Sequence, residues 1–229
     1  QHGPRPMSGM TPDEWDGSLT QLRMVWPASL LSAPPTVLPP PGYSVRLCTP
    51  DDDGRHAEIM ELAGWEGWAA AYGDMALQTV LPRSWFLAVH DETETPVASA
   101  MCCHNYKRTT PAWGSVGWVG CDPAHTGHGL GGTLTSAVVS RFIEIGYDKI
   151  DLHSEDFRLP ALKTYLRMGF VPLLYTHDMP ARWERICKAV SLPFTPERWP
   201  SDSARDPLAS TTCGDGESGA KSPLPAGGG

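Results

Sequence analysis

The sequence lacks the features that define several large classes of protein. No apolar run approaches the ~20 residues of a membrane-spanning helix, and the first residues lack the basic flank and apolar block of a signal peptide. Positive charge is scarce, because 18 Lys and Arg stand against 26 Asp and Glu, giving a formal net charge of −8. An acidic chain is a poor match for a nucleic-acid surface. We therefore expect a cytoplasmic protein that binds neither membrane nor nucleic acid.

Sequence patterns of redox, metal and serine-hydrolase sites are also missing. The six cysteines include no C-x-x-C pair, which favours buried thiols in a reducing compartment. Cys102 and Cys103 are adjacent, but alternation along a strand would place them on opposite faces. His125 and His128 have the spacing of a metal pair without a third ligand nearby, so we predict no metal. No G-x-S-x-G motif supports a serine hydrolase.

What the sequence does contain is apolar material for one full core. Its 229 residues are 41% hydrophobic and include nine tryptophans, which predicts a single packed domain. Composition divides the chain into three parts. Residues 1–18 are predicted to be a flexible arm, 19–195 the single domain, and 196–229 a disordered tail rich in Ser, Gly and Pro.

The domain is organised around a strand, a glycine-rich loop and a helix. Residues 116–121 are β-branched, aromatic and apolar, as in a buried strand, and Asp122-Pro123 end it. Glycines follow at positions 127, 129, 131 and 132, and apolar residues then recur at helical spacing. Backbone N–H groups of such a loop, together with the positive end of the helix dipole, form a phosphate-binding arrangement.

Two phosphate-binding families compete for this loop. Residues 127–132 fit the dinucleotide pattern G-x-G-x-x-G, with Asp151 or Glu155 near the position of a ribose-binding acid. A dinucleotide loop, however, turns directly off its strand, whereas residues 122–126 intervene here. Too little chain follows to complete two mononucleotide-binding halves. A dinucleotide-binding oxidoreductase is therefore the weaker alternative.

The stretch from Cys121 to Gly131 resembles the pyrophosphate loop of the GNAT superfamily of acyl-CoA-dependent N-acyltransferases. The family pattern is Arg or Gln, two residues, Gly, one residue, then Gly or Ala. Here Gly129 and Gly131 match, while Thr126 takes the place of the Arg or Gln. The departure removes one side-chain donor but leaves the backbone N–H groups of the loop.

A second motif supports the same resemblance at residues 157–170. It is similar to the family pattern Asn, two residues, Ala, three residues, Tyr, three residues, Gly-Phe. Ala161, Tyr165 and the pair Gly169-Phe170 match, and Arg158 replaces the usual Asn. The two motifs stand in the family order, separated by one helix and one strand.

The predicted order of elements from residue 43 to residue 176 is β-α-α-β-β-β-α-β-α-β, which is the order of the GNAT fold, and the resemblance covers roughly residues 43–190. The resemblance implies an α/β (α+β) domain with a central mixed, mostly antiparallel sheet. It also implies that the sheet is splayed at the strands around the acyl-CoA site and flanked by helices. We further predict that residues 22–31 pack on the domain, that 170–176 form the last strand, and that 179–190 form a helix.

The resemblance implies an N-acetyltransferase that uses acetyl-CoA and a primary amine of a small molecule or peptide. It assigns the cofactor-binding role to Val119, Cys121, Thr126, Gly127, His128, Gly129, Leu130, Gly131 and Gly132. By the family pattern, Tyr165 donates the proton to the departing thiolate, and a phenol is protonated at neutral pH, as a general acid must be.

The general base is less clear from the sequence. Many relatives carry an acid on the strand before the loop, but residues 115–119 contain none. His153 ends a predicted strand beside the cleft and is our catalytic candidate, since imidazole titrates near neutrality. Glu155, His104 and a chain of water molecules stay open as alternatives. The missing acid, together with Thr126 and Arg158 at the two departures from the motifs, also leaves open a non-catalytic acyl-CoA-binding or sensing module.

Overall fold

The computed structural model describes residues 20–105 and 111–201, which form one mixed seven-stranded sheet with its helices. The predicted arm at 1–18 lies outside these residues. The strands are β1 (Leu22–Val25), β2 (Tyr43–Leu47), β3 (Val80–His90), β4 (Thr95–His104), β5 (Gly114–Cys121), β6 (Ile150–Ser154) and β7 (Val171–Pro172). Their spatial order is β2-β3-β4-β5-β6-β1-β7, and within the described residues β5–β6 is the one parallel pair. The predicted mixed, mostly antiparallel sheet is confirmed.

Helices cover both faces of the centre of this sheet. They are α1 (Asp53–Leu62), α2 (Trp68–Ala71), α3 (Gly73–Thr79), α4 (Leu130–Glu144), α5 (Leu159–Met168) and α6 (Met179–Val190). Cys102 on β4 contacts the carbonyl of Val138 on α4, whereas its neighbour Cys103 packs in a cluster with Met60 of α1. Successive strand residues face opposite sides, so α4 and α1 lie on opposite faces. This covering explains why nearly every residue of β4 is buried.

The sheet opens between β5 and β6, as the resemblance implies. The two strands pair only from Gly114 opposite Ile150 to Val116 opposite Leu152. Beyond that point β5 continues to Cys121 without pairing to β6. The divergence leaves a gap in the sheet directly before the glycine loop.

A β-bulge in β5 lies beside this gap. Ser99 of β4 is opposite Gly120, but Met101 is opposite Gly117, so β5 carries one extra residue. Trp118 lies inside the bulge with a φ of 53°, a left-handed value that is uncommon outside glycine. The extra residue reverses the side of the sheet on which the side chains of the following β5 residues lie. The bulge is located where β5 and β6 separate.

The segment predicted only to pack on the domain contributes a strand to the sheet. β1 lies between β6 and β7 and is antiparallel to both. Leu22 and Met24 are fully buried, while the Arg23 guanidinium donates from Nε to Asp151 at 2.7 Å. Four residues are too short a stretch for alternation to identify a strand, so the sequence pattern did not reveal it.

The C-terminal part of the domain differs from prediction in two ways. The last strand, predicted at 170–176, is reduced to Val171–Pro172, and proline cannot donate to a ladder. The predicted helix at 179–190 is confirmed as α6. Packing then continues past residue 195, because Trp199 lies 6.0 Å from Trp183 and Leu174 donates to the carbonyl of Pro200 at 2.9 Å.

Residues 196–201, which composition assigned to the tail, therefore pack on the domain. The residues concerned form a short 3-10 helix, Pro196–Arg198, and a bridge between Leu174 and Ser201. Their polar and proline-rich composition resembles that of the tail, and their contacts with α6, Leu174 and Phe194 set them apart. The remainder of the predicted tail, 202–229, lies outside the described residues.

Candidate active site

The glycine loop begins with a turn fixed by Asp122. Its carboxylate accepts from the Ala124 amide at 3.0 Å and from Arg55 Nη2 at 2.8 Å. Burial opposes ionisation, but the Ala124 amide and the Arg55 guanidinium lower the pKa of Asp122. An ionised Asp122 therefore ties the end of β5 to α1, and the start of the loop is held in place.

Two glycines allow the backbone turns that connect the loop to the start of α4. Gly127 and Gly129 have φ values of 85° and 84°, which favour glycine, and a Cβ at either would meet nothing within 4 Å. The Thr133 amide donates to the carbonyl of Gly129 at 3.0 Å. The amides of 130–132 precede it and have no acceptor in the helix. This open surface of N–H groups at a helix N-terminus is suited to an anion.

A cavity of about 390 Å³, which we call the loop cavity, lies against this surface. Eight of the nine predicted cofactor-binding residues line it: Val119, Cys121, Thr126, Gly127, Gly129, Leu130, Gly131 and Gly132. The exception is His128, which is exposed and contacts the carbonyl of His125 through Nδ1 at 3.2 Å. His125 lines the cavity in its place, and its own Nδ1 is 3.0 Å from the hydroxyl of Tyr43.

Thr126 does not replace the missing Arg or Gln of the motif. Its Oγ1 donates to the carbonyl of Pro123 at 2.9 Å, so the hydroxyl is engaged inside the loop. A phosphate in this loop would therefore have the backbone N–H groups, rather than the Thr126 hydroxyl, as its donors.

A second, smaller cavity of about 100 Å³ lies between β5, the end of β6 and α5. Its lining comprises Gln21, Trp65, Val116, Gly117, Trp118, Val119, His153, Ser154, Glu155, Arg158, Ala161 and Tyr165. We call it the inner cavity. Val119, Arg158, Ala161 and Tyr165 line both cavities. The two cavities therefore adjoin at the opening between β5 and β6, and we call the pair of them the cleft.

Tyr165 lies where the two cavities meet. It is held on α5 with 7% of its surface exposed. Burial raises its pKa to about 12, with the charge of Arg158 acting in the opposite sense and that of Glu155 adding to the rise. The phenol is therefore protonated throughout the neutral range, but it is a weak acid.

The candidate bases separate into two groups. His153 and Glu155 both line the inner cavity with Tyr165, so the structure brings them together. Glu155 is engaged there, because its carboxylate accepts from Gln21 at 2.6 Å and from Arg158 at 2.5 Å. His104 lies elsewhere, exposed at the end of β4 with Nδ1 2.7 Å from the hydroxyl of Tyr147. The structure thus removes His104 from the candidates.

An aromatic wall that sequence reasoning did not assign borders the inner cavity. The ring of Trp118 lies 5.3 Å from that of Trp65 and 4.7 Å from that of Trp68, and Tyr72 is 5.7 Å away. The dense aromatic stretch 65–72 was the available signal, but its sequence gives no partner. Trp118 supplies that partner only because the bulge in β5 turns it toward α2.

The structure gives the adjacent cysteines no redox arrangement. They face opposite sides of β4, and burial raises the pKa of Cys103 to about 12 and that of Cys102 further still. Across residues 20–105 and 111–201, no cluster of three or more His, Cys, Asp or Glu side chains has the arrangement of a metal site. Among the helices of these same residues, none has the length and apolarity to cross a membrane.

A mixed sheet that opens beside a glycine loop, with a tyrosine on the helix across the gap, defines the N-acyltransferase class of fold. The profile of the acetyltransferase (GNAT) family matches residues 46–170 of the chain. The chain therefore belongs to the GNAT family. β1 and α6 lie outside the matched residues.

Curated proteins similar to the chain are mycothiol acetyltransferases. That of Corynebacterium aurimucosum is 46% identical over 61 residues, covering 27% of this chain and 20% of the relative. That of Gordonia bronchialis is 30% identical over 135 residues, covering 56% of this chain and 44% of the relative. The chain thus matches less than half the length of these relatives.

Solved structures are similar in fold. A Drosophila protein superimposes with a TM-score of 0.52 at 13% identity, covering 66% of this chain and 47% of that one. A GCN5-related N-acetyltransferase from Sphaerobacter thermophilus has a TM-score of 0.46 at 21% identity, covering 75% of this chain and 50% of that one. At these identities the first match supports the fold alone.

Proposed function

We propose that this protein is an N-acetyltransferase that transfers an acetyl group from acetyl-CoA to a primary amine by direct attack. The observation that carries the proposal is the pair of adjoining cavities at the opening of the sheet. The glycine loop and its free amides lie at one end, the inner cavity lies at the other, and Tyr165 stands between them. Membership of the GNAT family supports the same reaction.

The loop cavity takes the acyl donor in this proposal. Amides 130–132 and the glycine loop bind the pyrophosphate, and the unpaired edge of β5 binds the pantetheine arm. The amide of Val119 or Cys121 donates to the thioester oxygen, since unpaired strand N–H groups are available donors. The acetyl group then lies at the gap, within reach of the inner cavity.

The inner cavity takes the amine. At about 100 Å³ it suits a small acceptor or the end of a side chain. The mycothiol acetyltransferases among the relatives point to a small-molecule amine. His153 accepts the proton of the attacking amine, directly or through water, since it lines the same cavity as Tyr165. The free cysteines of the described residues support a reducing compartment, the cytoplasm.

A non-catalytic acyl-CoA-binding module is the second candidate. It is favoured by the absence of an acid on β5 and by the engagement of Glu155 with Arg158. Such a protein binds acetyl-CoA but shows no turnover with any amine.

Thiol release from acetyl-CoA across a panel of small amines, with mass spectrometry of the acetylated product, tests the proposal. The control is Gly129→Asp, which adds a Cβ at a left-handed φ and a negative charge beside the pyrophosphate site. We expect turnover by the wild type and loss of coenzyme A binding in the folded control. Binding by the wild type without any product would favour the sensing module, and absence of binding would refute both.

A further inference from the structure

Arg158 is held in place on one side and unsatisfied on the other. Its Nε donates to Glu155 Oε2 at 2.5 Å, and its guanidinium carbon lies 4.7 Å from the ring centroid of Trp65. Its Nη2 is buried and has no hydrogen-bond partner among the described residues. A buried guanidinium N–H without a partner carries a desolvation cost, which a bound ligand would remove.

Arg158 lies where the two cavities meet. Arg158 lines both cavities, as Tyr165 does. Arg158, at the N-cap of α5, Ala161 and Tyr165 follow one another at helical spacing, so they share one face. Side chains of a helix lean toward its N-terminus, which brings the Tyr165 ring back toward Arg158. A donor that extends from the glycine loop into the inner cavity would pass the residues that line both cavities, Arg158 and Tyr165 among them.

We propose that Arg158 binds the sulfur of coenzyme A as it becomes a thiolate, and that it is a catalytic residue of this protein. The inference rests on the proposed function and deepens it. The amine nitrogen forms a bond to the thioester carbon, the carbon–sulfur bond breaks, and its electron pair stays on sulfur beside the guanidinium. The amine proton passes to His153 or to water, and the thiolate is protonated by Tyr165 or by solvent.

The weak acidity of Tyr165 supports this assignment. A thiol has a pKa of about 8.5, and burial raises the pKa of Tyr165 to about 12. Proton transfer from such a phenol to a thiolate is uphill, so the leaving group benefits from a positive charge that does not have to be transferred. The Asn of the family motif carries no such charge, and Arg158 in its place supplies one.

The direct test compares coenzyme A with desulfo-coenzyme A, which lacks the thiol, by calorimetric titration between pH 6.5 and 9.5. The other titratable groups that line the two cavities are Cys121, His125, His153, Glu155 and Tyr165. The titration of these groups affects the binding of both ligands. The ratio of the two affinities therefore reports the contribution of the thiol. In the wild type we expect this ratio to rise about tenfold or more with pH, since a tenfold preference for thiolate equals one pKa unit.

The variants are Arg158→Gln, which removes the charge, Arg158→Lys, which keeps it, and the exposed Arg167→Gln on the same helix as the matched control. We expect Arg158→Gln to abolish most of the increase in the affinity ratio with pH and Arg158→Lys to retain part of it. The control should match the wild type. Circular dichroism establishes that each variant is folded, and Arg158→Asn, the family residue, replaces Gln if Gln disrupts α5.

Kinetics with an accepted amine give the second readout. We expect Arg158→Gln to lower kcat about 10- to 100-fold with a KM for acetyl-CoA within a few-fold of the wild type. A pH-dependent affinity ratio unchanged in Arg158→Gln would refute the inference while leaving the proposed function intact. A loss confined to the KM of the amine would assign Arg158 to the acceptor and refute it as well. Failure of the wild type to bind either ligand would refute both proposals.

Discussion

Tyr165 shows how burial and position together set the role of one residue. Phenylalanine at this position keeps the ring and removes the hydroxyl, so coenzyme A affinity should hold. We expect the chemical step to slow about 10- to 100-fold, at or below the low end of the 10²–10⁴ range of a fully used general acid. The smaller effect is expected because Arg158 also stabilises the sulfur. Single-turnover acetyl transfer by Tyr165→Phe measures it.

The control for Tyr165→Phe is binding. A damaged α5 would weaken coenzyme A as well as the rate, whereas a lost proton donor affects only the rate. Wild-type rates across the whole pH range would show that Tyr165 is a packing residue of the cleft.

His56 provides a prediction about stability at the same scale. It is 3% exposed between the rings of Trp68 and Trp85, and neither ring nitrogen has a hydrogen-bond partner among the described residues. Burial lowers its pKa to about 4. Its unfolded pKa is about 6.5, so the stability that His56 contributes is complete above pH 6.5 and is lost as the pH falls toward 4.

We expect His56→Leu to flatten this pH dependence. At pH 7.5 the variant should lie within about 1 kcal/mol of the wild type, because it removes two unpaired polar atoms along with the imidazole. At pH 5 the wild type should have lost about 2 kcal/mol that the variant retains. Urea unfolding at the two pH values measures the difference, and an equal loss in both proteins would show that His56 is protonated in the folded state.

At the scale of elements, α6 stabilises the active-site wall through one buried ion pair. Arg182 on α6 donates from Nε to Asp156 at 3.0 Å, and their side chains are 3% and 4% exposed. The same guanidinium donates to the carbonyl of Thr20 at 2.9 Å, just before β1. One residue of α6 therefore connects the segment that carries Arg158 to the strand inserted in the sheet.

Removing one partner of this ion pair should destabilise the folded protein. We expect Arg182→Met to lower the free energy of unfolding by about 3–5 kcal/mol, because Asp156 would remain buried without its cation. Adding Asp156→Leu to the same protein should recover much of the loss. The exposed Arg185→Met on α6 is the matched control and should change stability by less than about 0.5 kcal/mol. Additive effects in the double variant would refute the pairing.

At the scale of the whole molecule, the C-terminal boundary of the domain is the feature to test. Truncation after Ser201 should leave the melting temperature and coenzyme A affinity unchanged, since 202–229 contain few large apolar side chains. Truncation after residue 195 removes Trp199, whose ring lies 5.3 Å from that of Phe194, and the bond from Leu174 to Pro200. We expect that shorter chain to melt several degrees lower by calorimetry.

The melting temperatures of the two truncated chains locate the C-terminal boundary of the stable domain. Equal melting temperatures would place the end of the stable domain at residue 195, as composition predicts. A loss in the longer chain would show that the last residues contribute to the fold.

Much of the fold and of the loop site was predictable, because each rests on a local pattern. Hydrophobic periodicity identified the buried strand before the loop, the helix α4 and the helix α6. The turns at Gly127 and Gly129 were predictable because glycine is the residue type that adopts a left-handed φ most readily. The mixed, mostly antiparallel sheet followed from the resemblance that the two motifs carry, and the second motif also led to the proposal that Tyr165 is the acid.

The sequence by itself therefore determined the family, the sheet class and the glycine loop at the start of α4, all of which depend on residues that are neighbours along the chain. Only the tertiary structure decided that β1 enters the sheet, that Trp118 closes an aromatic wall, and that Arg158 reaches both cavities. It also decided that His128 turns away from the loop cavity while His125 lines it. These outcomes depend on strand register, on a bulge and on contacts between distant segments, and no local spacing records which distant side chain will complete a contact.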